Sequence, residues 1–202
     1  MTIQFVIVPA IMFLIGSIPF SYIIVRIVTG KNIREIGSGN VGATNAFRAA
    51  GPVAGIVSMI LDAAKAFVPV IFLKRFFPEP HVFAEPSDYY VICSAFIILG
   101  HMYSIFLRFK GGKGVAVSLG ILLALFPKII MIALFVFIAV LIFTHIVSVA
   151  SVSAALTVVI QALMRNLGIG SRIFLVLLGI FIIIKHRANL RRFAKNEEKR
   201  LF

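Results

Sequence analysis

The sequence predicts an all-α polytopic membrane protein with seven transmembrane helices, an outside N-terminus, a cytoplasmic C-terminus and a cytosol-facing site built from loops. The first observation is composition, because 61% of the 202 residues are hydrophobic, whereas soluble domains are about 45–50% apolar. The second is that long apolar segments alternate with short charged loops. The third is a formal net charge of +13, which in such a chain indicates loops that face anionic headgroups.

Seven apolar segments approach the length that a bilayer requires, about 20 residues with a range of about 17–25. The first contains Gly16 and Pro19 as candidate bends, and the fourth and seventh are short. Six or eight spans are the alternatives to seven. The predicted segments are 3–25, 53–73, 89–107, 115–126, 129–143, 149–164 and 173–184.

The distribution of lysine and arginine predicts the orientation. With the N-terminus outside, most of the 20 Lys and Arg residues fall in cytoplasmic loops and the C-terminal tail, as the positive-inside rule requires. The first segment has no basic residue before its apolar run, so we predict a retained span rather than a cleaved signal peptide. We expect one domain over residues 1–202, without internal repeats.

Two glycine-rich stretches fall on the predicted cytoplasmic side. They are GSGNVGATN at 37–45, followed by Arg48, and FLRFKGGKG at 106–114. Glycine leaves backbone N–H groups free to turn toward an anion, and nearby cations neutralise it. We therefore predict phosphate or oxyanion binding by Gly37, Ser38, Gly39, Asn40, Thr44, Asn45, Arg48, Lys110, Gly111, Gly112, Lys113 and Gly114.

A third basic stretch, KHRANLRRF at 185–193, follows the last apolar segment. His186 and Asn189 share one helical face there, although the stretch could simply hold anionic lipid. Ser151 lies in a run of small residues that could instead serve close helix packing. The two glycine-rich stretches also have simpler explanations, as an ordinary Gly/Asn turn and as a flexible basic loop.

Two features inside the predicted spans bear on the site. His101 is a candidate base or a donor that binds substrate or phosphate, although a lone histidine near a helix end is more often structural. Asp62 and Lys65 are three residues apart on one helical face, which favours an ion pair that is structural or supports the site.

Several functional classes are disfavoured. KGGKG is not a Walker A loop, which would need glycine in place of Leu107 and serine or threonine in place of Gly114. No clustered metal ligands occur, so we expect neither metal nor cofactor. Nucleic-acid binding is disfavoured because no soluble basic domain exists. None of the four histidines begins a His-x4-Asp pattern, and no G-x-S-x-G elbow is present.

The chain resembles the bacterial acyl-phosphate:glycerol-3-phosphate acyltransferase family over nearly its whole length. The resemblance rests on three motifs and on their order between the spans, namely GSGNVGATN, His101…KGGKG and His186-Arg187-x-Asn189. The resemblance implies a multi-pass enzyme of the bacterial cytoplasmic (inner) membrane. It would transfer a fatty acyl group from acyl-phosphate to the 1-hydroxyl of glycerol 3-phosphate, the first step of phospholipid biosynthesis. The implied partners are these two substrates and membrane lipid, with no obligatory protein partner.

The resemblance also implies roles for individual residues. Lys113, His186, Asn189 and Ser38 would be the catalytic set, and a substrate phosphate would take the hydroxyl proton unless His186 is the base. The family's second-span Asp-x-x-Lys-Gly ends here in Ala66, and we assign Glu197 and Glu198 no role. The carried-over positions are Ser38, Asn40, Thr44, Asn45, Arg48, Lys113, Ser151, His186 and Asn189.

Two other classes remain open from the residues alone. One is a transporter or channel for a phosphate-like anion, and the other is a lipid-binding scaffold without turnover. An anion path needs polar groups across the midplane of the membrane, where the spans offer few beyond Asp62, Lys65 and Gln161.

Overall fold

A computed structural model of the chain describes residues 2–77 and 88–201. Over these residues the protein is helical, and the chain divides into two compact units, residues 1–125 and 126–202. The first unit contains α1 (Thr2–Ser17), α2 (Phe20–Thr29), α3 (Ala43–Phe76), α4 (Asp88–Met102) and α5 (Val115–Leu125). The second contains α6 (Pro127–Thr144), α7 (Val147–Met164), α8 (Ile169–Lys185) and α9 (Arg187–Ala194). The single domain over residues 1–202 stays a prediction.

Each of the seven predicted segments overlaps a helix, so the all-helical class is confirmed. Five segments of the described chain are long and apolar enough to span a membrane, and a sixth results if α8 and α9, bent by 52°, are one span. α5 is apolar but has 11 residues, which is short for a spanning helix. Seven spans and their orientation therefore stay predictions. The five segments are Phe5–Thr29, Ala43–Phe76, Asp88–Leu107, Pro127–Thr144 and Val147–Met164.

The first predicted span is broken at Ile18 and Pro19, between α1 and α2. Proline lacks the N–H that a helix interior needs, and it disfavours helical backbone at the residue before it. Beside the break, the Ser17 hydroxyl donates to the Phe13 carbonyl at 2.9 Å. The predicted bend at Pro19 is thus confirmed as a break in the helix.

α3 contains a reversal that the sequence analysis missed. Gly51 has φ +87° and ψ 177°, a conformation that a residue with a side chain rarely adopts. Residues 43–50 consequently form a short helix of their own, and Gly55 lies directly against Phe47. The predicted segment 53–73 begins just after this reversal, and the short helix carries Asn45 and Arg48.

α1 and α4 pack through glycines that allow the two backbones to touch. A methyl group at Gly100 would overlap the carbonyl of Phe13, and one at Gly16 would overlap the backbone of Ile97. The Ser17 hydroxyl also donates to the Gly100 carbonyl at 3.3 Å. Small residues at such contacts are typical of helix packing in membranes.

We expect Gly100→Ala to lower the free energy of unfolding by about 1–3 kcal/mol, because the added methyl forces the two helices apart. A thiol-reactive dye can follow unfolding, since the one cysteine, Cys93, is buried. Ile92→Val on the exposed face of the same helix is the matched control. A Gly100→Ala protein that unfolds at the wild-type temperature would contradict this packing.

Candidate functional site

The first glycine-rich loop, residues 37–45, is closed by the side chain of Asn45. Its Oδ1 accepts the Ser38 N–H at 3.0 Å, while Nδ2 donates to the carbonyls of Ile33 and Ile36 at 3.0 and 2.9 Å. Asn45 is 1% exposed, so these bonds form inside the unit. The side chain therefore determines the shape of the loop, and Ser38 remains exposed at its surface.

The same loop ends at the N-terminus of α3, which begins at Ala43 after Gly42. The first turn of a helix leaves N–H groups with no acceptor inside the helix, and such an end attracts anions. Arg48 lies one turn further along and approaches Gly37. The helix N-terminus supplies backbone donors, and the Cβ of Arg48 lies close to the loop that leads into it.

The second loop, residues 103–114, folds back on the end of α4. After a 3₁₀ turn at Ile105–Leu107, Arg108 and Phe109 adopt left-handed backbone with φ +51° and +59°. The next residues then form backbone hydrogen bonds with the C-terminal end of α4. The Gly111 and Gly112 N–H groups donate to the carbonyls of Met102 and His101 at 3.2 and 3.1 Å.

Lys113 and Gly114 complete this loop, and α5 begins at Val115 directly after them. Lys113 is half-buried, whereas Lys110 is exposed. Both glycine-rich loops thus end in the N-terminus of a helix, with a lysine or arginine close by. Cations and free N–H groups at a helix N-terminus favour an oxyanion.

The structure brings the two loops together within the first unit. A nitrogen of the Arg34 guanidinium donates to the Leu107 carbonyl at 3.0 Å. Gly112 lies directly against the Val41 carbonyl. Beneath them, one apolar cluster contains residues from both sides, namely Val25, Ile33, Val41, Ala46 and Leu107. Motifs about 70 residues apart in the sequence therefore form one surface.

The predicted residues of the second unit lie at the bend between α8 and α9 and on α7. Nδ1 of His186 lies 2.8 Å from the Ile182 carbonyl. Because a carbonyl oxygen only accepts, Nδ1 carries the hydrogen, and Nε2 of the neutral ring is an acceptor. Asn189 is buried and donates to Glu198, while the Ser151 hydroxyl donates to Val147 at 2.8 Å.

Glu198, to which the sequence analysis gave no role, is the centre of the polar contacts in this unit. It accepts hydrogen bonds from Ser148 at 2.9 Å, from Asn189, and from Nε of Arg192 at 2.7 Å. Burial alone would raise the pKa of its carboxyl group, but these hydrogen bonds together hold the pKa below its ordinary value. Glu198 therefore holds Asn189 in place while remaining ionised.

We expect Glu198→Gln to destabilise the protein by about 1–3 kcal/mol, because charge-assisted hydrogen bonds are lost. Since the folded protein lowers the pKa of Glu198, its ionised form stabilises the protein above the ordinary carboxyl pKa, near 4.5. The stability difference between variant and wild type should therefore be full at neutral pH and shrink as the pH falls below that value. Unfolding temperatures measured across pH test this, with exposed Glu197→Gln as control. A difference that does not change with pH would contradict it.

The structure thus places eleven of the predicted residues on the joined loops and Arg48 on the short helix after the first loop. The other three, Ser151, His186 and Asn189, are in the second unit. His101 lies behind the second loop, buried among Asp62, Lys65 and Gly112. The predicted meeting of all three motifs at one site stays a prediction. Taken together, the helices and loops define a helical integral membrane protein whose glycine-rich, cationic loops lead into helix N-termini.

Comparison with known proteins identifies the family to which this helical membrane protein belongs. The family model described as glycerol-3-phosphate acyltransferase matches residues 6–196. A glycerol-3-phosphate acyltransferase of Staphylococcus haemolyticus is 41% identical, with 94% of each chain covered. One of Rippkaea orientalis is 40% identical, over 94% of this chain and 89% of the relative. The chain belongs to the glycerol-3-phosphate acyltransferase family.

Solved structures show the same fold. The crystal structure of PlsY (YgiH), an integral membrane glycerol 3-phosphate acyltransferase, in its glycerol 3-phosphate form superposes with a TM-score of 0.88 at 31% identity. Its lysophosphatidic acid form gives 0.82 at 30%. Both comparisons cover 98% of this chain and 95% of the other.

Proposed function

We propose that this protein transfers a fatty acyl group from acyl-phosphate to the 1-hydroxyl of glycerol 3-phosphate. The products are 1-acylglycerol 3-phosphate and inorganic phosphate. Membership of the acyltransferase family supports the acceptor. The observation that carries the proposal is the pair of joined glycine-rich loops, each of which leads into a helix N-terminus. Both substrates carry a phosphate group, which is the group such loops bind.

The loops of the first unit are assigned to phosphate. Lys113 and Arg48 supply positive charge, and Ser38 supplies a hydroxyl on the exposed face. The N–H groups come from the N-termini of α3 and α5, because those of Gly111 and Gly112 already donate to Met102 and His101. Asn45 contributes by holding the loop in shape. Further residues proposed to line the phosphate are Gly37, Gly39, Asn40, Thr44, Lys110, Gly111, Gly112 and Gly114.

The second unit is assigned to the acceptor. His186 and Asn189 orient glycerol 3-phosphate, and Ser151 adds a hydrogen bond. The rigid placement of these side chains supports the assignment, because Ile182 orients the His186 ring and Glu198 holds Asn189. Positioning of a reactive hydroxyl can contribute several kcal/mol to catalysis.

The reaction needs little covalent assistance from the protein. The hydroxyl oxygen of glycerol 3-phosphate attacks the carbonyl carbon of the acyl-phosphate, and the bond from that carbon to the phosphate oxygen breaks. Phosphate leaves with the electron pair, and a phosphate oxygen takes the hydroxyl proton. Charge on the departing phosphate is stabilised by Lys113 and by the N–H groups at the N-terminus of α5.

His186 as general base is the alternative route for the proton. Its Nε2 can accept a hydrogen bond in the neutral ring, as a base must. A pH–rate profile that contains no imidazole titration, together with a His186→Ala variant that loses mainly affinity for glycerol 3-phosphate, would exclude this route.

We further propose that the protein is a seven-span, N-out protein of the bacterial inner membrane, acting as a single domain. Membrane lipid surrounds the acyl chain of the donor. The reaction as proposed uses no metal, cofactor or protein partner.

The test uses purified protein in detergent and follows phosphate release from palmitoyl-phosphate, with and without glycerol 3-phosphate. Palmitoyl-CoA runs in parallel, with thiol release as its readout. Release of phosphate that requires glycerol 3-phosphate, with no thiol release from palmitoyl-CoA, establishes the activity and identifies acyl-phosphate as the donor. Activity with the thioester alone would overturn the donor. No product from either, in folded protein, would favour anion transport.

A further inference from the structure

A buried polar cluster lies behind the second loop, and the proposed reaction does not use it. It consists of Asp62 and Lys65 on α3 and His101 at the end of α4, which are 2%, 7% and 8% exposed. We call it the Asp62 cluster. The Ser21 hydroxyl on α2 also approaches the Asp62 carboxylate, at 3.4 Å. Ionisable groups in a membrane span are costly unless they are fully paired.

Lys65 lies close to three polar atoms in and beside this cluster. Its Nζ lies 2.7 Å from the Asp62 carboxylate, 2.7 Å from the Ile18 carbonyl and 3.0 Å from Nδ1 of His101. The Ile18 carbonyl stands at the break before Pro19 and takes one of these bonds. An ammonium group has three hydrogens and no acceptor. Three protein atoms lie within 3.0 Å of the ammonium nitrogen.

The contact with Lys65 determines which nitrogen of His101 carries the hydrogen. Because the ammonium can only donate, Nδ1 of His101 accepts, and the hydrogen of the neutral ring is on Nε2. That Nε2 edge lies directly against Gly112, at the place where Gly112 also meets the Val41 carbonyl of the first loop. The Nε2–H group of His101 is thus located where Gly112 of the second loop contacts Val41 of the first.

His101 contacts Gly112 with its backbone as well. Its carbonyl accepts the Gly112 N–H at 3.1 Å, so the backbone and the ring of His101 both contact this glycine. Lys113 is the next residue along the chain. The His101 ring therefore lies against the backbone that leads directly into Lys113.

We infer that the Asp62 cluster fixes the ring of His101 and thereby positions Gly112 and Lys113 against the first loop. His101 is then a positioning residue for the phosphate site, in place of the direct phosphate contact that the sequence suggested. The inference rests on the proposed function for what the loops bind. An ion pair that served only helix packing would need no contact with the imidazole.

Two variants of His101 separate its two nitrogens. The amide of asparagine reaches the place of Nδ1 and can still accept from Lys65, whereas the amide of glutamine reaches the place of Nε2. We expect His101→Asn to unfold near the wild-type temperature but to lose about tenfold or more in kcat/KM for palmitoyl-phosphate. His101→Gln should recover only part of that loss, because its amide reaches Gly112 but lacks the contact with Lys65. Ser94→Ala, a buried change two turns earlier on the same helix, is the control and should behave as wild type.

A double-mutant cycle distinguishes positioning from direct binding. If His101 acts through Lys113, then His101→Asn should cost little further kcat/KM in a Lys113→Gln protein. Additive losses would show that His101 contacts the phosphate independently and would overturn the inference. Wild-type kcat/KM in His101→Asn, or losses that only follow the fraction of folded protein, would overturn it as well.

A second readout keeps this test separate from the proposed reaction. Inorganic phosphate should raise the unfolding temperature of the wild type. His101→Asn should reduce that shift, and His101→Gln should reduce it less. If the wild type shows the shift but no acyl transfer, the proposed function fails and the inference stands. An equal shift in all three proteins would overturn the inference even in an active enzyme.

Discussion

Replacement of Lys113 by alanine is expected to lower kcat/KM for acyl transfer by about 10²–10³-fold, the cost of removing one fixed donor from a developing oxyanion. Lys113 is half-buried between Gly112 and Gly114, immediately before α5 begins. Its charge therefore adds to the field of the helix N-terminus at the place where phosphate departs. Lys113→Arg keeps the charge but changes its geometry, and it should lose less activity.

Steady-state phosphate release from palmitoyl-phosphate measures this effect, and the unfolding temperature shows whether the variant is folded. Lys31→Ala, at an exposed position outside both loops, is the matched control and should keep wild-type activity. Lys110→Ala, within the loop but exposed, should show a smaller loss than Lys113→Ala. Unchanged transfer in folded Lys113→Ala protein would remove Lys113 from the site and favour a transporter or scaffold.

The positions of the helices could be read from the sequence because bilayer thickness imposes a length that apolar runs display directly. The sequence indicated Pro19 as a candidate bend because proline lacks a backbone N–H, but Pro9 and Pro69 lie inside helices, so the residue type alone does not decide where a helix breaks. The reversal at Gly51 was not readable. Whether a Gly–Pro pair bends a helix or turns it back depends on the contact of Phe47 with Gly55, and sequence periodicity contains no information on that contact.

The candidate site likewise has features that local sequence predicts and contacts that form only in the folded protein. Glycines and cations in short loops predict an oxyanion from local chemistry alone, and the two loops do lie together. Glu198 was missed because its partner Ser148 is 50 residues away and because the contact depends on a left-handed turn at Asn196. The environment of His101 was missed similarly, since Lys65 is 36 residues away and contacts it only in the folded protein.

Asn45→Asp should be the most damaging isosteric change in the first loop. The wild-type amide donates to the carbonyls of Ile33 and Ile36 and accepts from Ser38. A carboxylate keeps the last bond but turns an acceptor toward two carbonyl oxygens inside a buried site. An unpaired buried polar group costs about 1–3 kcal/mol, and more when it is charged. We expect the loop to open, with kcat/KM falling by about 100-fold or more and the unfolding temperature falling with it.

A Ser38 variant distinguishes loss of the loop's structure from loss of a direct contact with phosphate. Ser38 is exposed, so Ser38→Ala should lower kcat/KM without changing the unfolding temperature. Asn45→Asp should lower both, because its amide holds the loop that presents Ser38 and the N-terminus of α3. If Asn45→Asp lost activity at wild-type stability, Asn45 would instead contact the phosphate directly. The first loop would then bind its ligand with the Asn45 side chain, rather than through a backbone that Asn45 holds in place.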